Sequence, residues 1–327
     1  GIALGHVRLA IIDLTNGGHQ PYLSDDFRYV LTYNGEIYNY PELRRELESH
    51  GFKFKSSSDT EVLLNSYIYW GQECLEKFNG MFAFAIWDKV EKTLFAARDH
   101  FGIKPLYYWH NGEKLAFASE IKALIKHPEI KEAPNDQVVY DYLMFGLVDH
   151  KSRSFFKDIK QLPAAHKLCF KNGNLKILKW WDLNPDNVST LNFKDKTEQL
   201  LTEFRSSIEL RRRSDVPIAS LLSGGLDSTS IVCELARQLE KDKKSDHLSF
   251  TAVYGDKNLD EDEYAAETCD FSGVTHIKQK LGSGSMWEDL NKLIHHQEEP
   301  FQSTSIYAQW GIMKAVKEHG IKVVMDG

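Results

Sequence analysis

Residues Val216 to Glu240 read VPIASLLSGGLDSTSIVCELARQLE and decide the fold of the second half of the chain. The pattern predicts an apolar strand over Val216 to Leu222 and a helix over Ser228 to Glu240, with two glycines between them. A helix that begins directly after a strand offers unpaired backbone N–H groups and the positive end of its dipole to an anion. The stretch therefore predicts a phosphate-binding loop at the end of a strand.

The residue types of this loop agree with phosphate binding. Gly224 and Gly225 allow the backbone to approach oxygen atoms closely. Ser223 and Ser228 add hydroxyl donors, and Asp227 is suited to hold Mg²⁺ against phosphate oxygens. The loop has neither the lysine of a Walker A motif nor the glycine spacing of a dinucleotide fold. A plain helix cap would explain one residue but not two glycines between two serines, so we expect a nucleotide site.

Around this loop the chain alternates between strands and helices. Further strands are predicted over Leu248 to Tyr254 and over Lys322 to Met325, with helices between them. Such alternation is typical of a parallel sheet with right-handed crossovers. A polar, aperiodic stretch from Asp182 to Thr190 precedes this part and predicts a domain boundary.

The first half has a different pattern, typical of antiparallel sheet covered by helices. Asn111-Gly112 and Asn172-Gly173 each lie between strand-like runs and predict hairpins, since Asn and Gly tolerate the positive φ of a type I′ turn. Met81 to Trp87 has no polar face, which favours a strand covered on both sides. Helices are predicted over Pro41 to His50 and over Asp59 to Trp70.

Composition excludes several classes of function. The chain has 327 residues, of which 42% are hydrophobic and 27% are charged, and a net charge of −7. These values favour a globular protein and disfavour one held to nucleic acid or anionic lipid by bulk charge. The longest strongly apolar run is too short to cross a bilayer, and the four scattered cysteines suggest neither a disulfide framework nor a zinc site. We expect a cytoplasmic setting, and a chain that is truncated at both ends.

The ordered set of motifs resembles the glutamine-dependent asparagine synthetases. In this family a class II glutamine amidotransferase domain is fused to an N-type ATP pyrophosphatase domain. The motifs that carry the resemblance are Arg8 to Asp13, Tyr33 to Asn39, Ser58 to Glu61, Gly80 to Phe84, Arg98 to Tyr107, Ala118 to Glu120, Arg211 to Pro217 and the phosphate loop. The resemblance implies an α+β Ntn-hydrolase-like sandwich over residues 1–185. It implies an incomplete α/β parallel-sheet ATP pyrophosphatase domain over residues 186–327.

The resemblance also implies where glutamine binds. Asn34, through its side-chain amide, and Gly35, through its backbone N–H, match the oxyanion donors of the family. The Arg8 fork suits the glutamine carboxylate, and Asp59 suits the ammonium group. The remaining pocket residues by the same likeness are Leu9, Ile11, Ile12 and Glu36.

Taken singly, these residues have structural readings too. Ser58 and Glu61 predict a capping box for the helix that begins at Asp59. Asn34-Gly35 alone would predict a turn, and the adjacent pair Arg98-Asp99 is interpreted as ordering backbone. Only the joint order of the motifs favours the glutamine site.

The family nucleophile is an N-terminal cysteine whose own α-amine acts as the base. By the resemblance it lies several dozen residues upstream of the Arg8 motif, before Gly1. Cys74 lies too far along the chain and is interpreted as a core or surface thiol. The chain as printed therefore lacks the nucleophile of the family route.

For ATP the resemblance implies backbone contacts to adenine at Leu221 and Val253. It also implies metal and acyl-adenylate contacts in a motif that begins with Asp326 and Gly327. Asp227 is the expected metal ligand of the phosphate loop. The expected cofactors are ATP and Mg²⁺.

The acceptor pocket is expected near Glu298 to Tyr307. Family members carry an arginine there for the α-carboxylate of aspartate, and this stretch has none. The acceptor is therefore open between aspartate and another carboxylate, for example a sugar uronate. The acidic run Asp260 to Glu263 is interpreted as a solvated helix start, and His295-His296 as an exposed face.

Two functional hypotheses follow. The first is an enzyme that hydrolyses glutamine and uses the ammonia, with ATP, to amidate aspartate through β-aspartyl-AMP. The second is a non-catalytic sensor that binds glutamine and ATP. The expected partners are these small molecules, without nucleic acid or membrane, and a homodimer is open.

Overall fold

A computed structural model describes residues 1–241, 247–255 and 260–326. The chain divides into two compact units. The first contains Gly1–Asp186 and also Glu298–Pro300, and the second contains Asn187–Gln297 and Phe301–Gly327. Each unit is described by itself below.

The first unit is built from short strands and helices. Its strands are β1 (Tyr22–Leu23), β2 (Tyr29–Ile37), β3 (Gly80–Asp88), β4 (Thr93–Arg98), β5 (Tyr107–His110), β6 (Leu115–Ala118), β7 (Ile159–Gln161), β8 (His166–Lys171) and β9 (Asn174–Lys179). Its helices are α1 (Tyr40–Ser49), α2 (Asp59–Trp70), α3 (Ile121–Ile125) and α4 (Asp136–Phe145), with short 3₁₀ segments at Asn16–Gly18 and Gly71–Lys77. The predicted helices are confirmed to within one residue.

The strands of this unit form two antiparallel sheets. Among the described residues one sheet has the order β1-β2-β3-β4-β8-β9 and the other has the order β6-β5-β7. β3 lies inside the larger sheet, between β2 and β4, and six of its nine residues are buried while the other three are half-buried. The prediction of a strand covered on both sides is confirmed.

Three clusters of buried side chains stack the elements into layers. On one face of β3, Phe82 and Phe84 pack with side chains of α1 and α2. On the other face, Ala83 and Ala85 pack with Tyr108 of the smaller sheet. A third cluster joins the smaller sheet to α3. The order is therefore helices, sheet, sheet, helix.

Both predicted hairpins are present, with different turns. β8 and β9 pair from Lys171 opposite Asn174, so the turn contains only Asn172 and Gly173, at φ +50° and +80°. These two positive angles are those of the predicted type I′ turn. At Asn111-Gly112 the loop spans residues 111–114, because β5 and β6 pair only from His110 opposite Leu115. There the Asn111 side chain accepts hydrogen bonds from the N–H groups of residues 113 and 114.

The start of α2 differs from the predicted capping box. Ser58 Oγ accepts a hydrogen bond from Thr60 N at 3.2 Å, so Ser58 is the N-cap. Glu61 does not bond back to Ser58: its carboxylate accepts from Lys55 N and Ser56 N of the preceding loop. The box is wrong because the loop's own amides reach the Glu61 carboxylate.

The second unit alternates helices with parallel strands. Its helices are α5 (Phe193–Arg211), α6 (Leu226–Lys241), α7 (Asp262–Ser272), α8 (Ser283–Gln297) and α9 (Ser305–Glu318). Its strands are β10 (Ile218–Leu221), β11 (Leu248–Val253), β12 (Thr275–Lys280) and β13 (Val323–Met325). Within the described residues they form one sheet of order β12-β11-β10-β13, parallel throughout. The predicted parallel sheet is confirmed.

The core of this unit fixes the position of the loop after β10. Ala219 and Phe250 of the central strands pack against α9. Leu222 and Val232 pack with α7, and Leu235 packs with α5 residue Ile208. Strand and helix are thus held rigidly on either side of the loop. None of the helices in the described ranges has the length and apolarity to span a bilayer.

Candidate active site

The outer edge of β2 presents an unpaired backbone donor. Tyr33 N and O are bonded to the Gln20 side chain, at 2.6 and 3.1 Å. Ile37 N donates to Asp59 Oδ2 at 3.1 Å. Gly35 lies between them and faces Phe82, whose N and O are bonded to Asp99. Because donors alternate between the two edges of a strand, the Gly35 N–H points outward, without a partner among the residues described.

Gly35 is required by its backbone. Its φ is +147°, and a Cβ there would lie 2.1 Å from Met81 O and 2.7 Å from Phe82 Cα. Asn34 precedes it, and its side-chain Nδ2 donates to Ser119 Oγ at 3.4 Å. An amide N–H of Asn34 and the N–H of Gly35 are thus donors on adjacent residues.

Two carboxyl groups lie close to this edge. Asp59 is buried and its Oδ2 accepts from Tyr33 Oη at 2.8 Å as well as from Ile37 N. Burial raises the pKa of Asp59. Burial, and then the nearby Asp59, raises the pKa of Glu36 to about 7. Glu36 Oε1 is buried without a hydrogen-bond partner in the described part of the chain. Of these two carboxyl groups, Glu36 is therefore the one with an unsatisfied oxygen.

The Arg8 segment lies outside regular secondary structure. The Arg8 guanidinium donates to the carbonyl oxygens of Thr15 and Ile12, at 2.7 and 2.9 Å, and to that of Asp13. These bonds fold residues 8–15 back on themselves. The Ile12 side chain is buried, Ile11 is half-buried and Leu9 is exposed. Arg8 therefore orders its own segment, in addition to any role toward a carboxylate.

The thiols of the first unit are unsuited to nucleophilic attack. Cys74 is fully buried, and burial raises the pKa of its thiol far above the ordinary value. Burial also raises the pKa of Cys169. Because the thiolate is the reactive form, a thiol with so high a pKa is a poor nucleophile. Its burial makes Cys74 a core residue, one of the two interpretations from sequence.

Arg98 and Asp99 order the loop that follows β4. Asp99 accepts from the N–H groups of Phe101, Ile103 and Lys104, and Arg98 donates to three backbone carbonyls of the first unit. The structural interpretation of this pair is confirmed.

In the second unit, the start of α6 offers free donors. The first bond of the helix is from Thr229 N to Gly225 O at 3.0 Å. The N–H groups of Leu226, Asp227 and Ser228 have no partner among the described residues, and a helix N-terminus leaves such groups unsatisfied. They lie at the carboxyl edge of the parallel sheet, where open α/β folds bind ligands.

Serine hydroxyls shape the turn before these donors. Ser228 Oγ lies 3.1 Å from Ser223 Oγ, and Gly225 N donates to Ser223 Oγ at 3.3 Å. Gly224 has φ +89°, and a Cβ there would lie 2.7 Å from Glu261 O. Asp227 is exposed at the start of the helix. The turn is thus ordered by its two serines, and the three amides that follow it remain unbonded within the described residues.

The other predicted nucleotide residues end neighbouring strands. Leu221 ends β10 and Val253 ends β11, and Asp326 follows β13, so all three lie at the same edge of the sheet as the loop. Val253 O accepts from Leu281 N at 2.8 Å. Gly327 lies outside the described residues.

Among the described residues no group of three or more His, Cys, Asp or Glu is placed to hold a metal ion. Asp260 Oδ1 and Oδ2 accept from Tyr254 N and Gly255 N, at 2.6 and 2.8 Å, and α7 begins at Asp262. The acidic run does precede and start a helix, as expected, but Asp260 and Asp262 are half-buried and bonded rather than solvated. His295 and His296 lie on an exposed face of α8, as expected.

The first two side chains of the stretch expected to hold the acceptor bind backbone N–H groups instead. The Glu298 carboxylate accepts from Ile121 N and Lys122 N, at 2.9 and 2.7 Å, and Glu299 Oε1 accepts from Phe155 N at 2.8 Å. These two side chains are therefore occupied by backbone of the first unit.

Two residues that contact this edge of β2 escaped prediction from sequence. Gln20 completes the backbone bonding of Tyr33, and Ser119 contacts Asn34. Ser119 belongs to the Ala118 to Glu120 motif, which was the only available signal. Nothing in the sequence around Gln20 indicates its partner.

Family models match both halves of this chain. The family model of the glutamine amidotransferase domain matches residues 1–181, and the chain belongs to that family. The family model of asparagine synthase matches residues 199–327.

Curated relatives agree with both matches. Asparagine synthetase [glutamine-hydrolyzing] 3 of Bacillus subtilis is 34% identical over 91% of this chain and 50% of its own length. Asparagine synthetase [glutamine-hydrolyzing] 1 of the same organism is 34% identical over 100% of this chain and 50% of its own. Amidase chyE of Penicillium rubens is 31% identical over 100% of this chain and 50% of its own. The chain spans about half the length of these relatives.

Proposed function

We propose that the protein to which this chain belongs is a glutamine-hydrolysing asparagine synthetase. In this proposal residues 1–185 form an Ntn-hydrolase-like glutaminase domain that lacks its N-terminal segment. Residues 186–327 form an ATP pyrophosphatase domain that lacks its C-terminal part. The observation that carries the proposal is the set of free N–H groups at the start of α6, in the region that matches asparagine synthase.

Glutamine hydrolysis belongs to the first unit in this proposal. A cysteine thiolate attacks the side-chain amide carbon, and the oxyanion that forms is bound by Gly35 N–H and Asn34 Nδ2. Ammonia leaves as the tetrahedral intermediate collapses to a thioester, which water then hydrolyses to glutamate. The unpartnered Glu36 Oε1 and the buried Asp59 support binding of the glutamine ammonium here. Arg8, Leu9, Ile11 and Ile12 complete the pocket by resemblance.

The nucleophile is assigned to an upstream residue. Burial of Cys74 and the raised pKa of its thiol support this assignment. A complete reading frame that begins Met-Cys-Gly would agree with it. Another residue at the cysteine position would favour the glutamine- and ATP-binding sensor instead.

Adenylation belongs to the second unit in this proposal. The triphosphate of ATP lies at the N–H groups of residues 226–228, and adenine lies near the ends of β10 and β11, at Leu221 and Val253. The acceptor carboxylate attacks the α-phosphorus and releases pyrophosphate, and ammonia then attacks the acyl-adenylate to give the amide and AMP. Bound Mg²⁺ would neutralise phosphate charge. Because no group of three or more ligand side chains occurs among the described residues, phosphate oxygens and water would supply most of its ligands beside Asp227.

Aspartate is the proposed acceptor, since the two most similar curated relatives named above are asparagine synthetases. A related amidotransferase that acts on another carboxylate is the second candidate. The absence of arginine from residues 298–305 and the similarity to an amidase favour it. The four cysteines are free thiols, which agrees with the proposed cytoplasmic setting.

The test is an acceptor assay on the full-length protein. Pyrophosphate release is measured with ATP, Mg²⁺ and either ammonia or glutamine, with aspartate and then with uronates as acceptor. Release with aspartate and formation of asparagine are expected. Release only with another acid would reject asparagine synthesis but keep the amidotransferase class.

Asp227→Ala tests the loop in the same assay. We expect it to abolish pyrophosphate release, whereas Asp270→Ala, at an exposed position of α7, should leave it unchanged. Equal activity of the two variants would remove the loop from the proposed ATP site.

A further inference from the structure

The oxyanion donor Asn34 depends on a neighbour for its orientation. Rotation of an Asn amide about its last torsion is soft, and a donor stabilises an oxyanion best when it is fixed in advance. Ser119 Oγ, 3.4 Å from Asn34 Nδ2, is the contact that restrains this rotation. One amide hydrogen then points to Ser119 and the other is left for the substrate.

Ser119 in turn lies two residues before a helix whose start is held from elsewhere in the chain. It connects β6 to α3, which has only five residues and begins at Ile121. The Glu298 carboxylate accepts from Ile121 N at 2.9 Å and from Lys122 N at 2.7 Å. Lys122 Nζ also lies 3.1 Å from Glu298 Oε1.

Glu298 makes this contact with a buried side chain and an unfavourable backbone conformation. Its side chain is only 10% exposed, and its φ is +65°, a left-handed conformation unusual for a residue with a Cβ. Such a backbone persists only when its surroundings determine it. Glu299 provides a second anchor through Phe155 N at 2.8 Å, so the segment is fixed by two carboxylates.

We propose that Glu298 is a positioning residue for glutamine hydrolysis: it fixes the start of α3, and thereby Ser119 and the amide of Asn34. The proposal rests on the proposed glutaminase function, and it assigns no contact between Glu298 and glutamine. Its two carboxylate bonds replace the missing intrahelical partners of α3. Residues 298–300 belong to the first unit although they lie, in sequence, between α8 and α9.

The kinetic test uses the full-length protein and separates glutamine hydrolysis from ammonia-dependent synthesis. Glu298→Ala and Ser119→Ala should each lower kcat for glutamine hydrolysis about tenfold, less than the roughly hundredfold loss when an oxyanion donor is removed. The KM for glutamine and the rate of synthesis with ammonia should stay unchanged. Ser119→Thr keeps the hydroxyl and should retain most of kcat. The control Glu113→Ala, on the exposed 111–114 loop, should match the unmodified protein.

Combining the variants tests whether the two residues act through one path. The Glu298→Ala/Ser119→Ala double variant should be no slower than either single variant, because both lose the same restraint on Asn34. Effects that multiply, or an equal loss in synthesis with ammonia, would overturn the proposal.

A measurement without turnover tests the positioning contact separately from the assigned activity. In Glu298→Ala, the amide protons of Ile121 and Lys122 should lose protection from exchange, and the side-chain amide signal of Asn34 should shift in NMR spectra. An unchanged Asn34 signal would refute the positioning role, even in a protein that hydrolyses glutamine. If the unmodified protein hydrolyses no glutamine while the Asn34 signal does shift, the proposed function fails and the positioning contact stands.

Discussion

At the scale of single residues, Glu36 combines burial with a missing partner. Its carboxyl has no intramolecular bond at Oε1 within the described structure, and Asp59 lies nearby. Most buried polar atoms are satisfied, so an orphaned one in the residue after the unpaired N–H of Gly35 indicates a ligand more than a structural role. Glu36 is therefore expected to affect both ligand binding and the free energy of unfolding.

The raised pKa of Glu36 predicts a pH-dependent stability. Its pKa rises from 4.5 to about 7 on folding, so the folded state binds this proton more tightly than the unfolded state. The contribution is complete below pH 4.5 and is lost as the pH rises through about 7, by about 3 kcal/mol. Glu36→Gln should remove this decline, measured as the free energy of urea unfolding at pH 5 and pH 8. Glu113→Gln, on an exposed loop, should retain it; an identical decline in both variants would contradict the assignment.

At the scale of elements, local signals predicted structure well where local chemistry decides it. Asn172-Gly173 gave the expected two-residue turn, because both residues adopt positive φ there. The same dipeptide at Asn111 became part of a four-residue loop, since the Asn side chain accepts hydrogen bonds from the amides of residues 113 and 114. The capping box failed because Glu61 found amides of the preceding loop. Side-chain competition of this kind has no reliable local signature.

The close packing of Gly80 in β3 against β2 gives a prediction at this scale. A Cβ on Gly80 would lie 2.3 Å from Glu36 O and 2.9 Å from Ile37 Cα, both of them backbone atoms. Gly80→Ala should therefore lower the free energy of unfolding by about 3 kcal/mol, the upper end for overpacking. Gly51→Ala meets no atom within 4 Å, and its φ of +91° alone should cost about 1 kcal/mol. Urea unfolding of both variants checks this prediction. Equal losses would show that β2 and β3 move apart easily enough to accommodate the added methyl group.

At the scale of the whole molecule, sequence order and spatial grouping differ. The resemblance assigned Glu298 to an acceptor pocket, but its carboxylate binds amides of residues 121 and 122, far away in sequence. The parallel sheet and its loop followed from periodicity, since strand and helix signals are local. The anchoring of Asn34 through Ser119 did not, because it depends on contacts between distant segments.

The segment between the two units offers the last prediction. Residues 183–191 are exposed and lie outside every helix and strand, whereas Leu178, also exposed, lies in β9 with its backbone paired to β8. Proteases need an extended, unpaired backbone, so exposure of the side chain alone is insufficient. Brief chymotrypsin treatment should therefore cut after Leu183 or Leu191 well before it cuts after Leu178, as mass spectrometry of the fragments would show. Replacing both Leu183 and Leu191 by Ser should delay this cleavage several-fold without creating a cut at Leu178. An early cut after Leu178 would instead indicate that the β8–β9 hairpin opens more readily than the segment between the units.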